Sequence, residues 1–296
     1  MSASLIWERD GRDWPNREAS RFIMAGGLCW HVQQMGCGPT LLLVHGTGAA
    51  THSWRTLMPL LAPRFNIVAP DLPGHGFTET PSPERLSLPG MSSSLSMLLQ
   101  TLDVRPELVL GHSAGAAILA RMILDEQIAP RMLISINGAL LPLHGLPGHI
   151  FSPAAKLLAS ISLVPRLFAW RATDHAAVER LINSTGSTLD QLGVALYARL
   201  LSNPGHVAGA LGMMANWDLR PLARELPFLN TALTLVVGDA DKTISPAEAE
   251  RVKTLVPAAS IIHLPGLGHL AHEEQPQKIA ELVTELARSV NLMIHV

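Results

Sequence analysis

Three short stretches of this chain hold the residue types that acyl-transfer chemistry needs. In Pro106–Arg121, PELVLGHSAGAAILAR, an apolar run ends in Gly111-His112-Ser113-Ala114-Gly115, and helix formers follow. The pattern reads as strand, tight turn and helix with a serine at the apex, and a strained apex requires small neighbours. The hydroxyl would stand at the end of a sheet strand beside the positive end of a helix. A serine nucleophile also needs a base to take its proton and an acid to orient that base. Gly238-Asp239-Ala240-Asp241 follows the apolar run Leu233–Val237, and Gly266-Leu267-Gly268-His269 follows Ser260–Leu264. One serine in a glycine-rich turn has an ordinary structural explanation. Three strand-end groups in the order Ser, Asp, His do not, so Ser113, Asp241 and His269 form the candidate catalytic set.

Each member has rivals. Asp241 lies further into its loop than Asp239 and reaches towards His269. Asp239 is the second choice, with turn capping as its simpler role, and Asp218 is a distant third. His272 competes with His269 but opens the next segment, which suits a wall or solvent residue; Glu273 and Glu274 read as helix-start charges and structural contacts. A developing oxyanion needs donors, and removing one typically costs ~10²–10³ in rate. The amide of Ala114 is one candidate donor. The amide of Thr47 is the other, with Gly46 and Gly48 allowing close backbone approach. His45 and His112 border the same space and are carried as substrate-lining candidates, although bracing their loops by hydrogen bonds is the simpler role. The simpler role also suits His75.

These groups need elements to position them. Arg21–Ala25 and Leu28–Gln34 read as a hairpin joined at Gly26-Gly27. Thr40–Val44 is a continuous apolar run, the mark of a strand buried on both faces of a parallel sheet. Phe65–Ala69 reads as the next buried strand, and the stretch before Ser113, Met132–Ile136, Leu233–Val237 and Ser260–Leu264 read as further strands. Helices are expected at Ser53–Ala62, Leu88–Leu102, Pro246–Leu255 and Gln277–Val290. Such alternation implies an α/β fold with a doubly wound, mostly parallel sheet whose ligands sit at the carboxyl ends of the strands. From about Leu141 to Arg220 the alternation stops. Helical patterns at Ala154–Ser162, Ala176–Asn183, Leu189–Leu201 and His206–Trp217 replace it. The expected organisation is a core over 1–140 with an N-terminal arm at 1–20, a helical cap at 141–220 and the rest of the core at 221–296. Trp7 and Trp14 should anchor the arm.

Composition narrows the chemistry further. A chain of 296 residues is long enough to bury about three-quarters of its unfolded surface. With 22 Lys+Arg against 24 Asp+Glu it lacks the basic excess of a nucleic-acid binder. Charged residues make up 16% against the usual ~25%, while 48% are apolar, which suggests a pocket or surface that meets something greasy. No uninterrupted apolar window is long enough to span a membrane, and peripheral contact with one is left open. The first residues show no apolar leader, so the expected compartment is the cytoplasm. Cys29 and Cys37 offer neither metal spacing nor a disulfide framework and are expected to be buried small hydrophobes. There is no phosphate-binding glycine loop or dinucleotide fingerprint, and the thirteen histidines show no zinc spacing, so no cofactor or metal is expected.

Together HGTG, DLPGHG, GHSAG, GDAD and GLGHLAHEEQP resemble the α/β-hydrolase superfamily over essentially the whole chain. Ser113 replaces the aspartate nucleophile of haloalkane dehalogenases and epoxide hydrolases, so the likeness is nearer to esterases, haloperoxidase-like enzymes and C–C bond hydrolases. WERDGRDWPNREAS, GHSAGAAILARM, NGALLPL, LVPRLFAWRA, STGSTLD and PGHVAGALGMMANWDL are similar to a narrower group, the magnesium-chelatase accessory proteins of bacteriochlorophyll biosynthesis. That resemblance implies a role near magnesium insertion into protoporphyrin IX and contact with magnesium-chelatase subunits. It does not make this chain the chelatase, since energy-coupled insertion needs a nucleotide site. A tetrapyrrole is flat and apolar with acidic tails. Phe168, Trp170, Met213, Met214 and Trp217 could face its ring, and Arg166 and Arg171 its propionates, although each apolar residue also suits the cap's own core.

Overall fold

In the computed structural model, which describes residues 5–142 and 174–292, the apolar runs become the strands β1 (Ser20–Ala25), β2 (Leu28–Met35), β3 (Thr40–Val44), β4 (Asn66–Pro70), β5 (Leu108–His112), β6 (Met132–Ile136), β7 (Ala232–Gly238) and β8 (Ser260–Leu264). They form one sheet in the order β1-β2-β4-β3-β5-β6-β7-β8. The β1–β2 hairpin and the β2–β4 pair are antiparallel, and every other neighbour is parallel. Gly26 and Gly27 turn the hairpin at φ 55° and 74°, the left-handed pair that a two-residue hairpin demands.

Alternation along each strand fills two cores. Leu42, Val44, Val109, Leu133, Leu235 and Val237 face one side, where α2 (Leu88–Thr101), α3 (Ala114–Leu124) and α7 (Ala247–Leu255) pack. Leu41, Leu43, Leu108, Leu110, Ile134 and Val236 face the other, against α1 (Leu57–Leu61) and α8 (Pro276–Ser289). The expected helix from Ser53 is instead a 3₁₀ turn, Thr51–Trp54, and the shorter α1. Pro59 explains the break: it has no N–H to donate and its ring crowds the preceding turn, so the helix begins late enough to leave Pro59 in its first turn.

Helices α4 (His175–Ser184), α5 (Gln191–Leu201) and α6 (Pro204–Ala215) follow the expected pattern, each started by a side-chain cap: Asp174, Asp190 and Asn203. The helix expected at Ala154–Ser162 lies outside the described residues. Val178, Ile182, Val194, Tyr197 and Ala198 of this helical segment pack on Ala49 and Leu270, in the loops after β3 and β8. At the amino end, Trp14 is buried with its indole N–H donating to Thr51 Oγ1 (3.0 Å), and the Arg17 guanidinium lies 4.3 Å from the Trp7 ring centre. Expectation fails for the cysteines. Cys29 is half-buried and Cys37 exposed, because Gly36-Cys37-Gly38 forms the surface turn between β2 and β3.

Candidate active site

β5 hands directly into α3, and the residue between them is Ser113, at φ 51° and ψ −119°. A non-glycine residue in that region is strained, and surrounding structure must hold it there. The Ser113 N–H donates to Ile136 O (3.1 Å), and its carbonyl accepts from Ala116 (3.2 Å) and Ala139 (3.0 Å). The loop after β3 crowds in from the other side: a Cβ on Gly46 would lie 2.9 Å from the Ser113 Cβ, and one on Gly115 2.1 Å from Val44 O. Ser113 is half-buried between buried His112 and Ala114. Ala114 begins α3, whose first amides have no partner within the helix.

The loops after β7 and β8 bring Asp241 and His269 together, with His269 Nδ1 2.8 Å from Asp241 Oδ2. Both are buried. The other carboxylate oxygen of Asp241 accepts from the amides of Thr243 (2.7 Å) and Ile244 (3.0 Å), so backbone geometry aims the group. Asp239 turns outward to His263 (2.6 Å), and Asp218 pairs with Arg220 at the surface. The imidazole of His269 lies 4.7 Å from that of His112, centre to centre. The His112 Nε2–H and the Asn137 side-chain amide both donate to His269 O, each at 2.9 Å.

Other candidates fall elsewhere. His45 has no exposed surface. Its Nε2 accepts from Leu72 N–H (2.9 Å), so Nδ1 carries the proton and donates to Gly46 O (2.8 Å). Both nitrogens are used, and burial lowers its basicity, so His45 braces its loop instead of lining a substrate space. His112 is likewise buried, with a ring pushed well below the ordinary histidine range by burial. Thr47 is half-buried, and its hydroxyl donates to Met213 Sδ (3.5 Å). Met213 is fully buried in the sheet-face core, and Trp217 packs against that core, so both serve packing; Met214 is exposed. Phe168, Trp170, Arg166 and Arg171 lie outside the described residues. His272 is no solvent residue: it is fully buried, its Nε2 is 2.6 Å from Ser53 Oγ, and burial, with His269 and Arg55 nearby, pushes it down to about 3.

A family model described as the alpha/beta hydrolase fold matches residues 39–276, from β3 to the start of α8. The chain belongs to the α/β hydrolase fold family. It is 35% identical over 275 residues to the magnesium-chelatase 30 kDa subunit of Rhodobacter capsulatus, covering 92% of this chain and 96% of that one. It is 33% identical over 288 residues to a 2-hydroxy-6-oxo-2,4-heptadienoate hydrolase of Pseudomonas putida, covering 91% and 96% respectively. An α/β hydrolase fold protein of Burkholderia ambifaria superposes with a TM-score of 0.76 at 22% identity over 96% of this chain and all of that one. Within this hydrolase fold, the strand-end loops hold several groups that the residue pattern did not single out. Asn137 at the end of β6 donates to Gly268 O and His269 O and accepts from Gly238 N–H, linking three loops. Arg55 pairs with Glu273, whose side chain has no exposed surface, and with Asp190 (3.0 Å), while Tyr197 OH donates to Glu273 (2.7 Å). In the sequence Asn137-Gly138 stood at a strand end and Glu273 read as a structural contact, while nothing pointed to Arg55 or Tyr197. Among the described residues no cluster of His, Cys, Asp and Glu could hold a metal, and no helix is long and apolar enough to cross a membrane.

Proposed function

We propose that this chain is a cytoplasmic serine hydrolase that cleaves an ester or related acyl bond of an apolar substrate, and that the substrate is a tetrapyrrole handled beside the magnesium-chelatase step. The observation that carries the first half is the buried His269–Asp241 pair at the sheet edge that also presents the strained Ser113. Ser113 Oγ attacks the acyl carbon as His269 Nε2 takes its proton. Asp241 stabilises the imidazolium, and the amides of Thr47 and Ala114 hold the oxyanion. His269 returns the proton to the leaving group, and water then releases the acyl group from Ser113 by the same steps. The described part of the helical segment, residues 174–220, acts as the cap over this site, and the rest of the expected cap lies outside the described residues. The second half rests on likeness to the Rhodobacter capsulatus chelatase subunit.

Treatment with a fluorophosphonate probe tests the chemistry. Labelling should depend on Ser113 and fall by as much as ~10⁶-fold in Ser113→Ala or His269→Ala. Absence of labelling in the native protein would sink the catalytic reading. The named likeness favours a second reading, a non-catalytic porphyrin-binding accessory to the chelatase. In that case protoporphyrin IX shifts its Soret band on binding, Ser113→Ala binds equally well, and no esterase activity accompanies it.

A further inference from the structure

The turn between α4 and α5 enters the space between the loops that carry Asp241 and His269. One carbonyl ties both: Thr185 O accepts from Lys242 N–H (3.1 Å) and from His269 N–H (3.4 Å). Ser187 is 1% exposed and its Oγ accepts from Leu270 N–H (2.8 Å), while Thr188 N–H donates to Glu274 (3.3 Å). Between them Gly186 sits at φ 86°, where a Cβ would lie 1.9 Å from Ala240 O; a Cβ on Gly268 would lie 2.3 Å from the Gly186 carbonyl. Three backbone segments therefore touch with no side chain between them. Asn137 and His112 hold the His269 carbonyl and Thr185 holds its N–H, so the backbone that aims the imidazole is gripped on both sides.

We propose that the Thr185–Thr188 turn is a clamp that sets the spacing of the acid and base loops, making Thr185, Gly186 and Ser187 positioning residues for the His269–Asp241 pair. The proposal rests on the serine-hydrolase reading, since positioning matters for chemistry only if His269 serves Ser113. It also gives the helical segment a second task besides covering the site, because the clamp is the turn that joins α4 to α5 and is held by its own contacts with the two loops.

The test uses the full chain with Gly186→Ala and Ser187→Ala. It reads three quantities: the rate of Ser113 labelling by a fluorophosphonate across pH, the downfield proton resonance of His269 Nδ1–H (assigned by its loss in His269→Ala), and the melting temperature. Leu200→Ala, fully buried in α5 against Trp14 and Phe77, serves as the stability control. A displacement of about 1 Å costs on the order of 10²-fold in rate. Gly186→Ala should therefore label about 10²-fold more slowly with a shifted or broadened resonance, and Ser187→Ala should label more slowly by a smaller factor. Leu200→Ala should keep rate and resonance despite a lower melting temperature. The proposal is overturned if both turn variants label at the native rate with an unchanged resonance, or if Leu200→Ala loses as much as they do. Should Gly186→Ala not fold, Ser187→Ala decides alone. Should the native protein not label, the hydrolase reading fails while the resonance still judges the clamp: unchanged in the turn variants overturns it, displaced in them upholds it.

Discussion

The sheet body and the loop layer above its carboxyl edge are both buried, but they are built by opposite rules. The strand interiors of β3, β5 and β6 are aliphatic almost throughout, sorted to two faces by simple alternation. The layer above them buries His45, His52, His75, His112, His206 and His272 together with Asp71 and Asp241. In the body, volume and pattern suffice, and no single partner is obligatory. In the layer most polar groups are held by a particular partner, because a buried one left unpaired is costly. His52, with no hydrogen-bond partner on either ring nitrogen among the described residues, stands out against that rule. Asp71 shows this. Burial alone would raise its affinity for a proton, yet His31, His45 and the Phe77 amide hold the carboxylate far below its ordinary range. One side chain thereby ties β2, the turn at Thr51 and the loop after β4.

The sharpest way to break the contrast is to remove one partner in the layer. Arg55 is 8% exposed, and its partner Glu273 is fully buried with an affinity for protons raised by burial. Arg55→Met strands that carboxylate and should cost about 3–5 kcal/mol, read from urea unfolding at neutral pH. R55M/E273Q should recover much of the loss, because the amide oxygen still accepts from Tyr197 and no charge is left buried. The single variant's deficit should also shrink as pH falls and Glu273 takes up a proton. If the double variant proves as unstable as the single one, the ion pair is not what the layer depends on at this point.

The same measurement in the sheet body should look different. Leu41 is fully buried at the start of β3, at the far end of the strand from Ser113. Leu41→Ala should cost about 2–5 kcal/mol through lost burial and the cavity left behind. No second substitution on a polar partner should rescue it, and the folded fraction should label at Ser113 near the native rate. A loss of labelling beyond the loss of folded protein would mean that body and layer are coupled more tightly than their packing suggests.

This division also explains what was legible in the sequence. Thr40–Val44, Met132–Ile136 and Ser260–Leu264 agree with the observed strands residue for residue. The first two are buried on both faces and announce themselves as apolar runs, while the edge strand Ser260–Leu264 is largely half-buried or exposed. The described helices of the segment after β6 were legible from their helical patterns, their ends differing by at most two residues. The largest displacement of a helix start was at Pro59, a local breaker inside an apolar pattern. Ser113, Asp241 and His269 were visible because each follows a strand and chemistry restricts the residue types. Pairing within the layer was not visible: nothing local to His272 says that Ser53 awaits it 219 positions away. For His45 and Met213 the residue pattern left substrate lining and a structural role both open, and their three-dimensional neighbours favour brace and core. Cys37 failed for a related reason, since surrounding glycines made a surface turn of Gly36-Cys37-Gly38.

The smallest expected effect concerns protons. His206 accepts from Gly76 N–H at Nδ1 (3.0 Å) and donates from Nε2 to Gly48 O (3.1 Å), so it must be neutral to do both. Burial pushes it down to about 4 and His272 down to about 3, with His52, His75 and His112 also lowered by burial. In the unfolded chain these rings titrate near 6.5. Between the two values the unfolded state binds protons that the folded state refuses, so stability falls as pH drops from about 6.5 towards 4 and is insensitive to these rings above it. Each ring adds a slope of at most about 1.4 kcal/mol per pH unit. Asp71 adds a loss of the same sign, but only below the ordinary carboxylate range. His206→Gln keeps hydrogen-bonding capacity without a titrating ring. Urea unfolding across pH should show its slope reduced by one ring's share within that window, with a constant offset above it. An unchanged slope would mean that His206 does not stay neutral in the folded protein, whereas Leu41→Ala should shift the whole curve without altering its slope.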